Sequence, residues 1–418
     1  MWNAGCGMWS LRCGRRGKAS EATIKMRIQL CPAFMDWIVF LVLFAVLYSA
    51  GERGLTGSQR AWLGAITMVT YTVVSLLVGL ILTRRNARSV LLLSTLATTI
   101  FGAASVMLQD FAAQMVCLAL LGVGLAAFFN SFQTFMRGET VPGQLALTVA
   151  RYTLAWSAGS SLGFLSSGAV YRLGPAALAA VTAAVGLGVL TLLLQHRHRS
   201  LDEASVEEHL EPVVHGARMV NPAYVLVAWC TIFTATFMQR PLQSLFPALC
   251  GHQGVAPAVV GGVLSLHMLL QGVAGYALGR FARWRYHQAP IVLFHVGAAI
   301  VLGLVAWRPS VVASCVGIVA LGCYTGFAFF SSVYYASNAG RRSFNIGVNE
   351  CVGGLGCLLG LFASDATMAR TGNESAMFTL GAVALLVSML VQVLMLMASR
   401  RPAADLAGLP PAVCPQEL

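Results

Sequence analysis

Long apolar runs follow one another along the chain, separated by short polar joints. Each run holds about 18 to 25 residues, enough to cross a hydrocarbon core about 30 Å thick as a helix. The alternation of period two that marks a membrane barrel is absent. The pattern predicts twelve spans, near 33–50, 61–83, 89–109, 111–135, 145–170, 173–195, 222–247, 255–279, 288–307, 311–338, 345–367 and 376–398. A Gly-rich turn, GERGLTGSQR, joins the first two. HRHRSLDEASVEEHLEPVVHGARMVN, over 196–221, is the only long polar stretch between spans and divides the chain six plus six. The predicted organisation is a tail over 1–32, a six-helix half over 33–195, a linker over 196–221, a second half over 222–398 and a tail over 399–418. The fold class is all-α integral membrane, twelve transmembrane helices in two six-helix bundles.

Composition agrees, with 57% hydrophobic and 10% charged residues against about 25% charged in soluble domains. The basic residues then set the orientation, because cytoplasmic loops retain positive charge during insertion. With the N-terminus inside, cytoplasmic segments hold 20 of the 27 arginines and lysines. Outer loops hold only Arg53, Arg60, Arg172, Arg308 and Arg370. Both termini are therefore expected in the cytoplasm, with the protein multi-pass in the plasma membrane, or in the inner membrane if the source is a bacterium. The net charge of +12 sits at span ends beside anionic lipid, not in a domain that would hold nucleic acid. Ala33 to Ala50 exceeds a signal-peptide core and reads as the first span, while Met26 offers a second translation start. Eleven cysteines without a CxxC pair indicate neither a disulfide framework nor a zinc site, and no metal or cofactor is expected.

The two sixes resemble each other, as the halves of many transporter folds do. PAFMDWIVFLVLFAVLYS from Pro32 parallels PAYVLVAWCTIFTATFMQ from Pro222. GLILTRRNAR from Gly79 parallels GYALGRFARW from Gly275, and GLAAFFNS from Gly124 parallels GFAFFSS from Gly326. The order is the same and the offsets grow slowly, as in a duplication that makes the bundles pseudo-symmetric. The second of these pairs resembles the loop motif of the major facilitator superfamily, close to G-x-x-x-D-R-x-G-R-R between helices 2 and 3 and echoed between helices 8 and 9. Gly79, Arg84 and Arg88 match it, as do Gly275, Arg280 and Arg283. Thr83 stands where the family has an acid, Asn86 where it has Gly, Ala87 where it has Arg, and Gly279 replaces the second acid. Gly159, Gly163 and Gly168 resemble the glycine-rich fifth helix, without its Gly-Pro pair. The resemblance implies rocking halves, a central cavity between helices 1, 4, 7 and 10, and helices 5 and 11 facing helices 8 and 2. It also implies that the acid of the loop latches the halves, a device that Thr83 does not supply. Arg84, Arg88, Arg280 and Arg283 either pin the loops as topology charge or bridge helix ends through carbonyls and carboxylates.

An ionisable residue inside a span is a functional candidate by default. Asp36 lies at the cytoplasmic lip of span 1. Arg151 in span 5 and Glu350 in span 11 lie at similar depth, and either makes a salt bridge between the halves or is satisfied by nearby carbonyls; Glu350 is alternatively a protonation site. Arg240 occurs in FMQRPLQSLFP, where Pro241 and Pro247 break the helix and Gln239, Arg240 and Gln243 project polar groups. An anionic substrate contact and a snorkelling side chain are its two readings. His267 and Gln271 share a helix face, and His267 aligns with Tyr71. His295 has no polar neighbour one turn away and reads as structural. The cavity helices implied by the resemblance carry Asn130, Ser131, Gln133, Tyr324, Ser331, Ser332, Tyr334, Tyr335 and Asn338. From these, Tyr71, Asn130, Gln133, Gln239, Arg240, Gln243, His267, Gln271 and Tyr324 are the substrate-binding candidates. The coupling and gating candidates are Arg151, Glu350, Asp36, Arg84, Arg88, Arg280 and Arg283.

The expected function is secondary transport of a small organic molecule by a monomer, through alternating access driven by a proton or ion gradient. No G-x-x-x-x-G-K-[ST] loop is present to bring in ATP. The alternatives are a non-transporting sensor or assembly protein on the same fold, and a polytopic membrane enzyme. For the latter, His196, His198, His209 and His215 in the linker are the nearest approach to a metal site.

Overall fold

The structure, a computed structural model, describes residues 28, 30–53, 55, 57–139, 144–196, 223–246, 257–338 and 342–399. Nearly all of both tails, nearly all of the linker with His198, His209 and His215, and Pro247 lie outside these residues. Twelve helices account for almost everything described. They are α1 Cys31–Glu52, α2 Gly57–Ile81, α3 Ala87–Met107, α4 Phe111–Glu139, α5 Leu145–Arg172 and α6 Pro175–Gln195. The second six are α7 Ala223–Ser244, α8 Pro257–Arg280, α9 Gln288–Trp307, α10 Val311–Ser337, α11 Arg342–Thr371 and α12 Ala376–Ala398. Each predicted span falls on one of them, which is what lipid requires, because only a helix satisfies its own backbone there.

Among the described residues, nine helices are long and apolar enough by composition alone to cross a membrane. In α1 the described apolar stretch runs over Cys31–Leu47. Arg151 and a series of serines and glycines dilute α5, and Gln239, Arg240 and Gln243 dilute α7. Those three helices all pack inside the molecule, α1 against α5 and α7 against α11. Large apolar side chains crowd the outer surface instead, with Leu93 70%, Trp307 71% and Val312 72% exposed, as befits a protein whose solvent is lipid.

The packing repeats six helices on. The contacts α1–α5, α2–α4, α3–α4 and α3–α6 recur as α7–α11, α8–α10, α9–α10 and α9–α12. Between the halves the symmetry operation exchanges α2–α11 with α5–α8, and these are the two principal contacts across the centre. Both pairs run antiparallel. Small residues bring them together: a Cβ built on Gly79 of α2 would lie 2.7 Å from the Cα of Gly347 in α11, and one on Gly347 2.6 Å from the Cα of Gly79. One end of the molecule, the basic end, carries the α2–α3 turn with Arg84, Arg85 and Arg88 and the α8–α9 turn with Arg280, Arg283 and Arg285.

Candidate substrate and coupling site

Glu350 of α11 reaches across the centre into the first half. Its Oε2 accepts a short hydrogen bond from the Tyr71 hydroxyl of α2, and its Oε1 accepts from Gln133 Nε2 of α4 at 2.6 Å. The same Gln133 nitrogen donates to the Tyr152 hydroxyl of α5 at 3.1 Å, and the Asn349 side chain also bonds Glu350. Asp36 of α1 is buried beside this group, accepts from Ser160 Oγ of α5 at 3.3 Å, and lies within electrostatic reach of Glu350. Neutral donors thus hold a carboxyl group from each half in one buried polar cluster. Gln133 Oε1, Asn349 Oδ1 and Asn130 Oδ1 are buried there without a hydrogen-bond partner among the described residues. Asn130 spends its nitrogen on Ala126 O of its own helix, at 2.8 Å.

A second network lies along α7 and α8. Gln239 Nε2 donates to Gln271 Oε1 at 2.7 Å and meets His267 Nε2 at 3.1 Å. His267 Nδ1 faces the Ile318 carbonyl at 2.6 Å and must donate to it, so its Nε2 accepts from Gln239 and the ring is neutral. Gln271 Nε2 then donates to Ser157 Oγ of α5 at 3.0 Å, which carries this network across the α5–α8 contact. Arg240, 9% exposed, faces α11 near Cys357, while the Gln243 amide nitrogen finds only the Met268 sulfur, at 3.5 Å.

A third network gives His295, which has no polar neighbour one turn away on its own helix, polar partners on other helices. Its Nε2 accepts from the Tyr324 hydroxyl at 3.2 Å and from Gln392 Nε2 at 3.1 Å, and Gln392 Oε1 accepts from Thr231. The partners come from α10, α12 and α7, at sequence distances no helical spacing reveals. Tyr324 is therefore committed to the core of the second half, where its ring packs edge-on to His295.

Arg151 is exposed on α5, and the inward position is the next one, Tyr152. Among the described residues Arg151 makes no salt bridge to Glu350, whose partners are Tyr71, Gln133 and Asn349.

The sequence profile described as the Major Facilitator Superfamily matches residues 28–361. The chain belongs to this superfamily of membrane transporters. No curated protein sequence matches the chain. Two solved structures of the superfamily fold superpose on it. The human organic anion transporter MFSD10 (TETRAN) does so with a TM-score of 0.66 and 16% identity, covering 88% of this chain and 99% of its own. FucP in its outward conformation gives a TM-score of 0.61 and 14% identity, covering 88% of this chain and 98% of its own.

Where the superfamily loop motif has its acid, this chain builds a reciprocal helix cap. Asn86 Oδ1 accepts from Thr83 N at 2.7 Å, and Thr83 Oγ1 accepts from Asn86 N at 3.3 Å. That is the capping-box arrangement, with Asn in place of the usual Glu or Gln. Arg88 turns to α6, donating to the carbonyls of Leu193, Leu194 and His196 at 3.5, 3.5 and 3.1 Å, where the helix leaves acceptors unpaired. In the second half Arg280 and Arg283 are exposed. Arg285, the residue after the motif stretch, bonds Gly279 O at 3.0 Å and lies over the Tyr334 ring. Beside it Tyr286, at φ 56°, is gripped by Tyr224, whose hydroxyl donates to its carbonyl at 2.5 Å, and by Asn338, whose amide donates to its hydroxyl at 2.7 Å. Tyr334, Tyr335 and Asn338 thus sit against the α8–α9 turn at the basic end.

Proposed function

We propose that the protein is a secondary transporter that carries a small organic solute by alternating access, driven by protons taken up at Glu350. The single observation behind this is that Tyr71 and Gln133, both of the first half, hold the carboxylate of a residue in the second. If the halves, residues 33–195 and 222–398, rock about the α2–α11 and α5–α8 contacts, those bonds must break and re-form. A carboxylate accepts from Tyr71 and Gln133, whereas a carboxylic acid has a proton of its own to donate, so protonation changes which arrangement of the halves is favoured. Asp36 lies near enough to sense that charge. The basic end is the cytoplasmic one on this reading, the membrane is the plasma membrane, and one chain suffices.

The test begins with a thermal-stability screen of the purified protein against solutes at two pH values. A solute at 100 times its dissociation constant adds about 2.7 kcal/mol to the folded state. The hit is then followed in proteoliposomes with and without a proton gradient. The gradient should accelerate its flux through the wild-type protein and not through E350Q, while E350Q still exchanges solute across the bilayer. An undiminished gradient response in E350Q would sink the assignment.

A further inference from the structure

Arg240 is a buried charge that the coupling network leaves unused. It is 9% exposed, and among the described residues no acid pairs with it and no hydrogen bond engages its guanidinium. Both carboxylates of the central pocket bond neutral donors instead. A cation buried without a counter-charge is unfavourable and is kept where a charge of opposite sign arrives to meet it.

Its place in the fold points the same way. Pro241, the next residue, has no N–H, so the Phe237 carbonyl four residues back lacks its helical donor. That carbonyl is pressed against Gly360 of α11, where a Cβ would overlap the oxygen. The two backbones therefore touch beside Arg240. Arg240 lies within electrostatic reach of Cys357 of α11. Cys357 lies seven residues beyond Glu350, about 10 Å along the helix. Gln243, one turn on from Arg240, offers an amide whose nitrogen has, among the described residues, only a thioether sulfur for partner.

We propose that Arg240, assisted by Gln243, anchors the carboxylate of an organic anion, and that such anions are the transported solutes. This rests on the transporter reading and narrows its substrate to one class. The guanidinium presents two parallel N–H groups matched to a carboxylate, and an amide beside it supplies a further donor. Anion and proton occupy positions about two helical turns apart, so they bind together without competing for one group.

The test melts the full-length detergent-purified protein with the sodium salts of acetate, lactate, succinate and benzoate and with sodium phosphate. Each organic acid is paired with its methyl ester, with sodium chloride as the ionic-strength control. At least one carboxylate should raise the melting temperature where its ester and sodium chloride do not. R240Q should weaken its apparent affinity by at least about 30-fold, the lower end for removing one partner of a buried charge pair. R240K keeps the charge and loses the fork, so it should fall between the two, and Q243A should weaken binding more mildly. These last two variants carry the test should R240Q fail to fold. No stabilising carboxylate, an ester as effective as its acid, or unchanged affinity in folded R240Q and R240K would overturn the proposal. A shift by phosphate alone would also overturn it. Binding is read in detergent with no gradient, so failure of proton coupling at Glu350 leaves this result untouched, and the reverse holds.

Discussion

Replacing Gly79 and Gly347 by alanine, singly and together, probes a backbone-to-backbone approach of the two halves at the basic end. A methyl on Gly79 would stand 2.7 Å from the Gly347 Cα, 3.2 Å from the Ser343 carbonyl oxygen and 3.3 Å from the Gly347 nitrogen. One on Gly347 would stand 2.6 Å from the Gly79 Cα and 2.8 Å from the Ser75 carbonyl oxygen. Ordinary contact begins at 3.4 Å, so each methyl is too close by about 0.7 to 0.8 Å. Every obstructing atom is backbone, and no side chain can swing aside; α2 and α11 must separate. Overpacking of this kind costs about 1–3 kcal/mol. Alanine's better helix propensity returns up to about 1 kcal/mol, so the net loss for either single change lies near 1–2 kcal/mol. Both methyls demand the same separation. Once one has forced the helices apart the second costs less, and the double variant should lose clearly less than the sum of the singles. Thermal unfolding of the four proteins in one detergent gives the cycle. Single variants as stable as the wild type, or losses that add in full, would refute the claim that these glycines set the spacing of the halves.

Two further predictions concern the turn at the same end. Arg88→Ala removes the donor to three α6 carbonyls and, because the side chain is only half-buried, should cost about 1 kcal/mol, read as a lower melting temperature. Arg88→Lys should recover part of that, since a single ammonium can reach the His196 carbonyl but cannot span the set. Asn86→Ala should cost about 1 kcal/mol through the lost cap of α3, while Thr83→Ser, which keeps the accepting oxygen, should melt with the wild type.

The candidate site was legible in residue type and only partly in arrangement. Glu350, Gln133 and Asp36 were marked by polarity inside an apolar span and Tyr71 by its alignment with His267, and the structure brings all four together. Tyr152, Asn349 and Ser157 escaped notice because tyrosine, asparagine and serine are ordinary in such spans; their partners lie on other helices. Helical phase separates Tyr152 from Arg151, since adjacent residues differ by about 100° around the axis, and only the packing of α5 decides which of them turns inward. Gly347 stands apart from the denser glycine cluster of its own helix, Gly353, Gly354, Gly356 and Gly360, and only the meeting with Gly79 distinguishes it. The thioether contact of Gln243 and the company of His295 are set by neighbours far away in the chain.

What the sequence determined by itself is the set of twelve helices, their ends within a few residues, and the division into two alike sixes. The cause is the solvent: lipid forbids an unsatisfied backbone, so twenty apolar residues admit one conformation whatever surrounds them. Tertiary structure decided which face of each helix turns inward, and with it every pairing that carries chemistry. Between helices in lipid no hydrophobic drive selects a face, because the tails are as apolar as leucine. Close packing of small residues such as Gly79 and Gly347, and hydrogen bonds between distant polar groups such as Glu350, Tyr71 and Gln133, make that choice, and both depend on which helices meet.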